Sequence, residues 1–323
     1  ANCHPETVWA NYMPMFHTSG CAIAALGCLQ TPCHLLMVKF FDPHLVLRVI
    51  EREKVTAAVG VPTMLIAMLE AMEQQTYDVS SVEITISGGS MVAPELVRRV
   101  KDAFGCDFEI VYGQTETSPV ITQSRHDDSL ADLCNTVGQP LPQTDVAILD
   151  PQTNAIAPVD TIGEICCRGY LNMIGYNNNP DATAAAIDGN GWLHTGDLGR
   201  MDSRGYVTIT GRVKEMIIRG GENLFPAEIE NVLLEHPDVA EVAVVGLPDE
   251  KWGEIVACFV RPESGSDITG DALHAYSRQR LSPQKTPAVW LRVDEYPLTG
   301  SGKIQKFALQ EQYAKGDYAG RDL

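Results

Sequence analysis

Positive charge is scarce in this sequence: 24 Lys and Arg stand against 42 Asp and Glu, a formal net charge of −18. The long-range field of such a chain repels phosphate, which argues against a general nucleic-acid or anionic-membrane binder. An anionic ligand then needs a locally positive pocket. There are nine cysteines but no CxxC pair, so neither a zinc site nor a disulfide framework is indicated. Only Cys166 and Cys167 adjoin, and neighbours in a strand point to opposite faces. Many of the cysteines lie in apolar runs, where a free thiol behaves as a small hydrophobe, and a reducing, cytoplasmic location is expected. No signal peptide or transmembrane segment is read, since Ala1-Asn2-Cys3-His4 opens without a charged region or an apolar core. That opening does not resemble the start of a fold. Internal repeats and low-complexity tracts are absent too. What remains is 323 residues, 45% hydrophobic and 20% charged, the composition of a soluble globular chain with two domains.

From about 34 to 112 the pattern alternates strand and helix. Strands are expected over 34–40, 55–59, 84–86 and 108–111. Asp42-Pro43 offers an N-cap and a first-turn proline for a helix with apolar Leu45, Val46, Val49 and Ile50. Pro62 opens a second helix (Leu65, Leu69, Met72) and Pro94 a third (Leu96, Val97, Val100, Phe104). Such alternation implies an α/β fold with a mostly parallel sheet, whose ligands bind beyond the carboxyl ends of the strands. From 137 to 211 short strands (146–149, 164–167, 206–210) separated by turn signals predict a small antiparallel or barrel-like subdomain. A third texture starts at Arg212. It comprises a helix from Pro226 with Phe225, Ile229, Val232 and Leu233 on one stripe, strands over 242–245 and 255–260, a helix near 271–281 and a strand over 289–293. This reads as a compact α+β domain of ~110 residues. The expected division is thus 1–211, itself split into 1–136 and 137–211, followed by a mobile domain over 212–323.

Two polar, glycine-bearing loops fall at expected strand ends: Ser87-Gly88-Gly89-Ser90 and Tyr112-Gly113-Gln114-Thr115-Glu116. The second sets an aromatic face, a hydroxyl and a carboxylate within five residues, groups that a nucleotide and its Mg²⁺ can use. It is equally the sequence of a plain strand-to-helix turn. Gly191-Trp192-Leu193-His194-Thr195-Gly196-Asp197 puts a carboxylate after a glycine, as a ribose clamp needs and as a simple turn or N-cap also does. Gly300-Ser301-Gly302-Lys303 fails the GxxxxGK[ST] template, because Pro297 stands at its first glycine and Ile304 follows the lysine. What remains there is a lysine on a glycine-bracketed tip, which taken alone is a solvated surface residue.

Order and combination say more. Met13-Pro14-Met15-Phe16-His17, the two loops above, Gly191–Asp197, Gly211-Arg212-Val213-Lys214-Glu215-Met216-Ile217, Gly220-Gly221-Glu222-Asn223 and Thr299–Lys303 occur in one chain. Their series resembles that of the adenylate-forming enzymes, the family of acyl-CoA synthetases, peptide-synthetase adenylation domains and beetle luciferases, over essentially the whole length. Among these the chain looks most like medium-chain fatty acyl-CoA synthetases. The resemblance implies an acid–CoA ligase with ATP, a small carboxylic acid and coenzyme A as substrates, AMP as a bound product and Mg²⁺ as cofactor. It implies that Gly88, Gly89 and Ser90 border the adenine and acyl pockets and that Tyr112, beside Gly113 and Gln114, stacks on adenine. Thr115 would touch phosphate, Glu116 hold Mg²⁺, and Asp197 with Arg212 clamp the ribose. Lys303 would bridge the carboxylate and the α-phosphate, His17 would sit near the acyl carboxylate, Lys214 at the hinge, and Gly220 and Gly221 along the pantetheine tunnel.

The family also carries, upstream of the His17 motif, a Ser/Thr/Gly-rich loop ending in Lys-Gly that grips the β- and γ-phosphates. Nothing between Ala1 and Asn11 matches it. Either the chain is a piece of a longer protein or the rest is a separate polypeptide, and by itself it is expected to bind AMP or acyl-adenylate weakly without turning over ATP. Two other readings stay open: an adenylation domain that loads a carrier protein or a luciferase-like enzyme, and a non-catalytic nucleotide-binding module. The chain stops soon after the lysine loop with no carrier domain, so free CoA is the expected acceptor. Nothing in the sequence excludes a homo-oligomer.

Overall fold

The structure, a computed structural model, describes residues 3–89, 92–298 and 304–323. The chain divides into two compact units, Ala1–Thr195 with Gly199–Ile209 and Gly196–Leu198 with Thr210–Leu323. In the first unit strands β1 (Val8–Asn11), β2 (His34–Met37), β3 (Ala57–Val59), β4 (Ile84–Gly88), β5 (Asp107–Tyr112), β6 (Thr122–Gln123) and β7 (Gln139–Pro140) form one sheet in the order β2-β1-β3-β4-β5-β6-β7. The pairs from β2 through β5 are parallel, and β6 and β7 continue the sheet antiparallel.

The crossovers are helices Pro43–Glu53, Pro62–Gln74 and Pro94–Phe104, each opening on a proline at its first turn. Proline suits that place because the first N–H groups of a helix have no partner within it. Asp42 caps the first, its Oδ1 accepting from Leu45 N at 2.7 Å. Val46, Ile50, Leu65, Leu69, Val97, Val100 and Phe104 are buried in one core with Ala10, Ala58, Phe108 and Ile110 of the sheet. The expected apolar stripes therefore face the sheet. Strands over 34–40 and 55–59 prove shorter, His34–Met37 and Ala57–Val59, although hydrogen bonds from Val38 N to Asn11 O and from Thr56 N to Val8 O continue the pairing at one end of each. β1, over which no strand is expected from the sequence, is an interior strand of the sheet with Trp9, Ala10 and Asn11 buried.

A second sheet holds β8 (Thr144–Leu149), β9 (Gly163–Gly169), β10 (Leu193–Met201) and β11 (Val207–Arg212) in the order β11-β10-β9-β8. Cys166 and Cys167 of β9 are both fully buried in different apolar clusters, one with Ala147 and Leu149 and the other with Ile165 and Leu193. They serve the two faces of the strand, as adjacent residues must.

The second unit is built on β12 (Ile217–Arg219), β13 (Glu222–Leu224), β14 (Val239–Asp249), β15 (Gly253–Pro262) and β16 (Val289–Arg292), ordered β13-β12-β15-β14 with β16 parallel to β15. Val244, Val256, Cys258 and Val260 pack with Ile229, Leu233 and Leu273 of helices Pro226–Leu234 and Gly270–Arg278. The alternate residues Ala243, Val245, Ala257 and Phe259 pack with Leu309 of helix Lys306–Lys315. The sheet is thus covered on both sides. All nine cysteines are free thiols. Among the described residues no helix is long and apolar enough to cross a membrane.

Candidate functional site

Both expected loops leave the sheet at the carboxyl ends of adjacent strands. β4 and β5 run parallel with Gly88 opposite Val111, so Gly88-Gly89 and Tyr112–Glu116 emerge side by side. A Cβ at Gly88 would lie 2.3 Å from the Val111 carbonyl oxygen, so the two strand ends approach too closely for any side chain there. Gly89 has φ +79°, and Ser90 lies outside the described residues.

The Tyr112–Glu116 loop folds back on itself. Ile121 N donates to Tyr112 O at 2.7 Å, and a Cβ at Gly113 would stand 2.1 Å from Pro119 O. Thr117, fully buried, ties the turn. Its Oγ1 donates to Gln114 O at 2.9 Å and accepts from Gln114 N at 3.1 Å, and its N donates to Gln114 O at 2.9 Å. The two intervening residues are thereby turned outward, Thr115 exposed and Glu116 half-buried. Tyr176 donates its hydroxyl to Glu116 Oε1 at 2.7 Å. That bond to a carboxylate, helped by slight burial, holds the Tyr176 phenol above its ordinary pKa. Tyr112 itself is only 8% exposed and belongs to an apolar cluster with Ile121, Ile165, Leu171 and Leu193.

His17 is exposed, between Phe16, 93% exposed, and Ser19. Its Nδ1 accepts from Ser19 N at 3.2 Å and lies 2.7 Å from Ser19 Oγ. A ring nitrogen that accepts a backbone N–H carries no proton, so in the neutral ring Nε2 bears it.

In the second unit Arg212 Nε lies 2.9 Å from Asp197 Oδ1, the carboxylate side chain 10% exposed and the guanidinium side chain 60%. Lys214 is exposed in the helical turn Val213–Glu215. Gly220 and Gly221, at φ +59° and +85°, form the two-residue turn joining β12 to β13. Positive φ at both positions matches the strand twist of a tight hairpin and favours glycine. A Cβ at Gly220 would meet Trp252 Cε3 at 2.9 Å, and Gly220 N donates to Trp252 O at 2.7 Å. Trp252 is 42% exposed, with Arg219 Cζ 5.7 Å and Lys251 Nζ 4.8 Å from its ring centre. Lys303 lies outside the described residues.

Sequence reasoning passed over Tyr176, which lay next to an asparagine-rich turn, and Trp252. For Trp252 a signal existed: Lys251-Trp252-Gly253 sets a bulky aromatic and a cation in a turn between apolar strands. One other cluster draws notice: Glu164, Cys166 and His194 bring potential metal-ligand atoms within 4.8 Å of one another. His194 Nδ1 is already 2.7 Å from Glu164 Oε2, and burial pushes the Cys166 thiol well above its usual pKa. The trio thus forms a hydrogen-bonded buttress between β9 and β10.

The model of the AMP-binding enzyme family matches residues 1–177, and that of the AMP-binding enzyme C-terminal domain matches residues 228–303. The chain is 44% identical over 301 residues to the putative acyl-CoA synthetase YngI of Bacillus subtilis (strain 168), which covers 93% of this chain and 55% of that protein. It is 36% identical to the human medium-chain acyl-CoA ligase ACSF2, mitochondrial, over 93% of this chain and 49% of that protein. The chain thus spans about half the length of these relatives. Among solved structures it resembles the Bacillus subtilis o-succinylbenzoate CoA synthetase MenE in complex with its acyl-adenylate intermediate OSB-AMP. That likeness has a TM-score of 0.84 at 30% identity, over 96% of this chain and 62% of that one. With a family model matched across more than half its residues, the chain belongs to the AMP-binding enzymes.

Proposed function

We propose that this protein is an AMP-forming acid–CoA ligase acting on a small carboxylic acid, probed first with medium-chain fatty acids. The observation that carries the reading is the outward presentation of Thr115 and Glu116 beside Gly88-Gly89, at the carboxyl ends of paired parallel strands. The names of the relatives above support the same chemistry. The proposed division of labour is 1–211, with subdomains 1–136 and 137–211, and 212–323.

In the first step a carboxylate oxygen of the acid bonds to the α-phosphorus of ATP while the bond to the bridging oxygen breaks and pyrophosphate leaves. Two anions meet there, so positive charge must be supplied as the new bond forms. Lys303 is proposed to supply it, with Thr115 donating to phosphate. Glu116 suits Mg²⁺: a single half-buried carboxylate, fixed by the Tyr176 hydroxyl, leaves room for phosphate and water ligands. When bound, the ion would neutralise phosphate charge. Tyr112 would offer adenine the margin of its ring, and Asp197 with Arg212 would take the ribose hydroxyls. His17 would lie near the acyl carboxylate. In the second step the CoA sulfur bonds to the acyl carbonyl carbon, AMP departs with the acyl C–O electron pair, and the thiol proton passes to solvent.

Free CoA is the proposed acceptor because Gly220-Gly221 adjoins Trp252, an exposed aromatic with Arg219 and Lys251 beside it. Such a surface suits a nucleotide carrying phosphates. Nine free thiols support a reducing compartment, proposed as the cytoplasm. The test incubates the full-length protein with ATP, Mg²⁺, octanoate and CoA. Octanoyl-CoA and AMP should form together. Acyl-AMP accumulating despite CoA would point to a carrier-loading or luciferase-like enzyme, and AMP binding without any acid-dependent pyrophosphate exchange would leave a nucleotide-binding module.

A further inference from the structure

Helix Lys306–Lys315 begins with a lysine gripped by carboxylates from two distant parts of the second unit. Lys306 Nζ lies 2.8 Å from Glu215 Oε2 and 2.8 Å from Glu230 Oε1. Glu230 also accepts from Val244 N at 2.7 Å, which fixes its carboxylate to β14. The lysine and Glu230 side chains are only 18% and 16% exposed. An ammonium taken this far out of water needs good geometry and more than one partner, and a triad of this kind allows few alternative arrangements.

What the triad joins gives it meaning. Glu215 ends the turn Val213–Glu215 next to Lys214, the position expected at the hinge. Lys306 follows Lys303 by three residues. The residues flanking 299–303 are pinned to one another: Leu298 bridges Ile304, Gln305 N donates to Pro297 O at 2.8 Å, and Gln305 Nε2 donates to Leu298 O at 3.0 Å. Lys306, the next residue, is the point at which this stem is tied to the hinge turn and to helix Pro226–Leu234.

We propose that Lys306 is a positioning residue for the first half-reaction: through Glu215 and Glu230 it fixes Ile304 and Gln305, which follow Lys303 directly in the sequence. The inference rests on the ligase reading above. It predicts an asymmetry between the two steps. Acyl-adenylate formation joins two anions and needs the Lys303 charge in place, whereas attack of the thiol on the acyl carbonyl does not. A group whose only effect is to hold that stem is needed for the first step alone. A group needed merely for folding would slow both.

The experiment uses the full-length protein with Lys306→Met, Lys306→Arg and the milder Glu215→Gln, which leaves Lys306 its Glu230 partner. Adenylation is followed by acid-dependent ATP–pyrophosphate exchange and thioester formation by adding CoA to synthetic octanoyl-adenylate. Lys306→Met should lower kcat of the exchange about tenfold or more, since small misplacements of a charge are costly in rate. KM for ATP and the thioester step should stay within about twofold. Lys306→Arg should recover most of the loss, Glu215→Gln should show part of it, and amide hydrogen exchange at Ile304 and Gln305 should quicken in Lys306→Met. Equal loss in both half-reactions, or unchanged amide exchange at the stem, would overturn the proposal. Absence of exchange in the unaltered protein would retire the ligase reading instead, and the amide measurement would still decide whether Lys306 holds the stem.

Discussion

At the scale of single residues, the loop after β5 depends on one glycine and one buried threonine. A Cβ at Gly113 would overlap the Pro119 carbonyl, so Gly113→Ala has to push the returning chain away. Overpacking of this kind costs ~1–3 kcal/mol, read as a lower urea midpoint at unchanged m-value. Equal midpoints would mean that the loop yields freely. Glu116→Gln keeps the shape and removes the charge proposed for Mg²⁺. Acid-dependent pyrophosphate exchange should fall by ~10²-fold, the scale of losing one charge-stabilising group, with a higher Mg²⁺ requirement. Exchange and Mg²⁺ dependence like those of the unaltered protein would remove Glu116 from the metal role. Tyr176 keeps its proton to higher pH than an ordinary phenol because Glu116 accepts it, so this donor persists through the physiological range. Tyr176→Phe should therefore change the Mg²⁺ titration by a similar factor at pH 7 and pH 9. A divergence between the two pH values would show that another group governs Glu116.

Among the elements, the β12–β13 hairpin and the Lys306 triad make separable demands. Gly221→Ala places a side chain at φ +85° in open space, so it should cost ~1 kcal/mol, the ordinary penalty of the left-handed region. Gly220→Ala adds the overlap with Trp252 and should cost more, with a change in tryptophan fluorescence that Gly221→Ala lacks. For Lys306, burial alone would lower the pKa, and the Glu230 and Glu215 carboxylates outweigh it, leaving the ammonium above its ordinary value. A raised folded-state pKa contributes stability that is fully present below the unfolded value of ~10.4 and disappears as pH rises past it through the folded value. Denaturation midpoints should thus fall more steeply above about pH 10.4 in the unaltered protein than in Lys306→Met, although the variant is the less stable at pH 8. Parallel profiles would assign the alkaline limb to other groups.

For the whole molecule, the five-stranded sheet of the second unit carries an apolar cluster on each face, drawn from its own strands and helices. A fragment covering 210–323 should melt cooperatively and keep dispersed amide resonances. A broad transition without a baseline would show that its cores need the rest of the chain.

Much of this architecture was legible without coordinates. Prolines at 43, 62 and 94 with 3.6-residue apolar spacing mark helices, and the polar loops between them fall at strand ends, because local propensity and capping act over a few residues. The ordered series of motifs likewise pointed to the family the comparisons support. β1 was not legible, since a four-residue strand between two parallel neighbours, three of its residues buried, carries no alternation that could announce it. Nor were the contacts that finish the site. Glu116 meets Tyr176 sixty residues on, and Lys306 meets Glu215 at a separation of ninety-one. Which elements become neighbours is decided by how apolar faces pack together, and a pairing of polar side chains across that distance exists only after the packing has chosen it. The sequence by itself determined the elements, their breaks and the chemical groups on offer; tertiary structure alone decided which carboxylate each tyrosine, arginine and lysine would face.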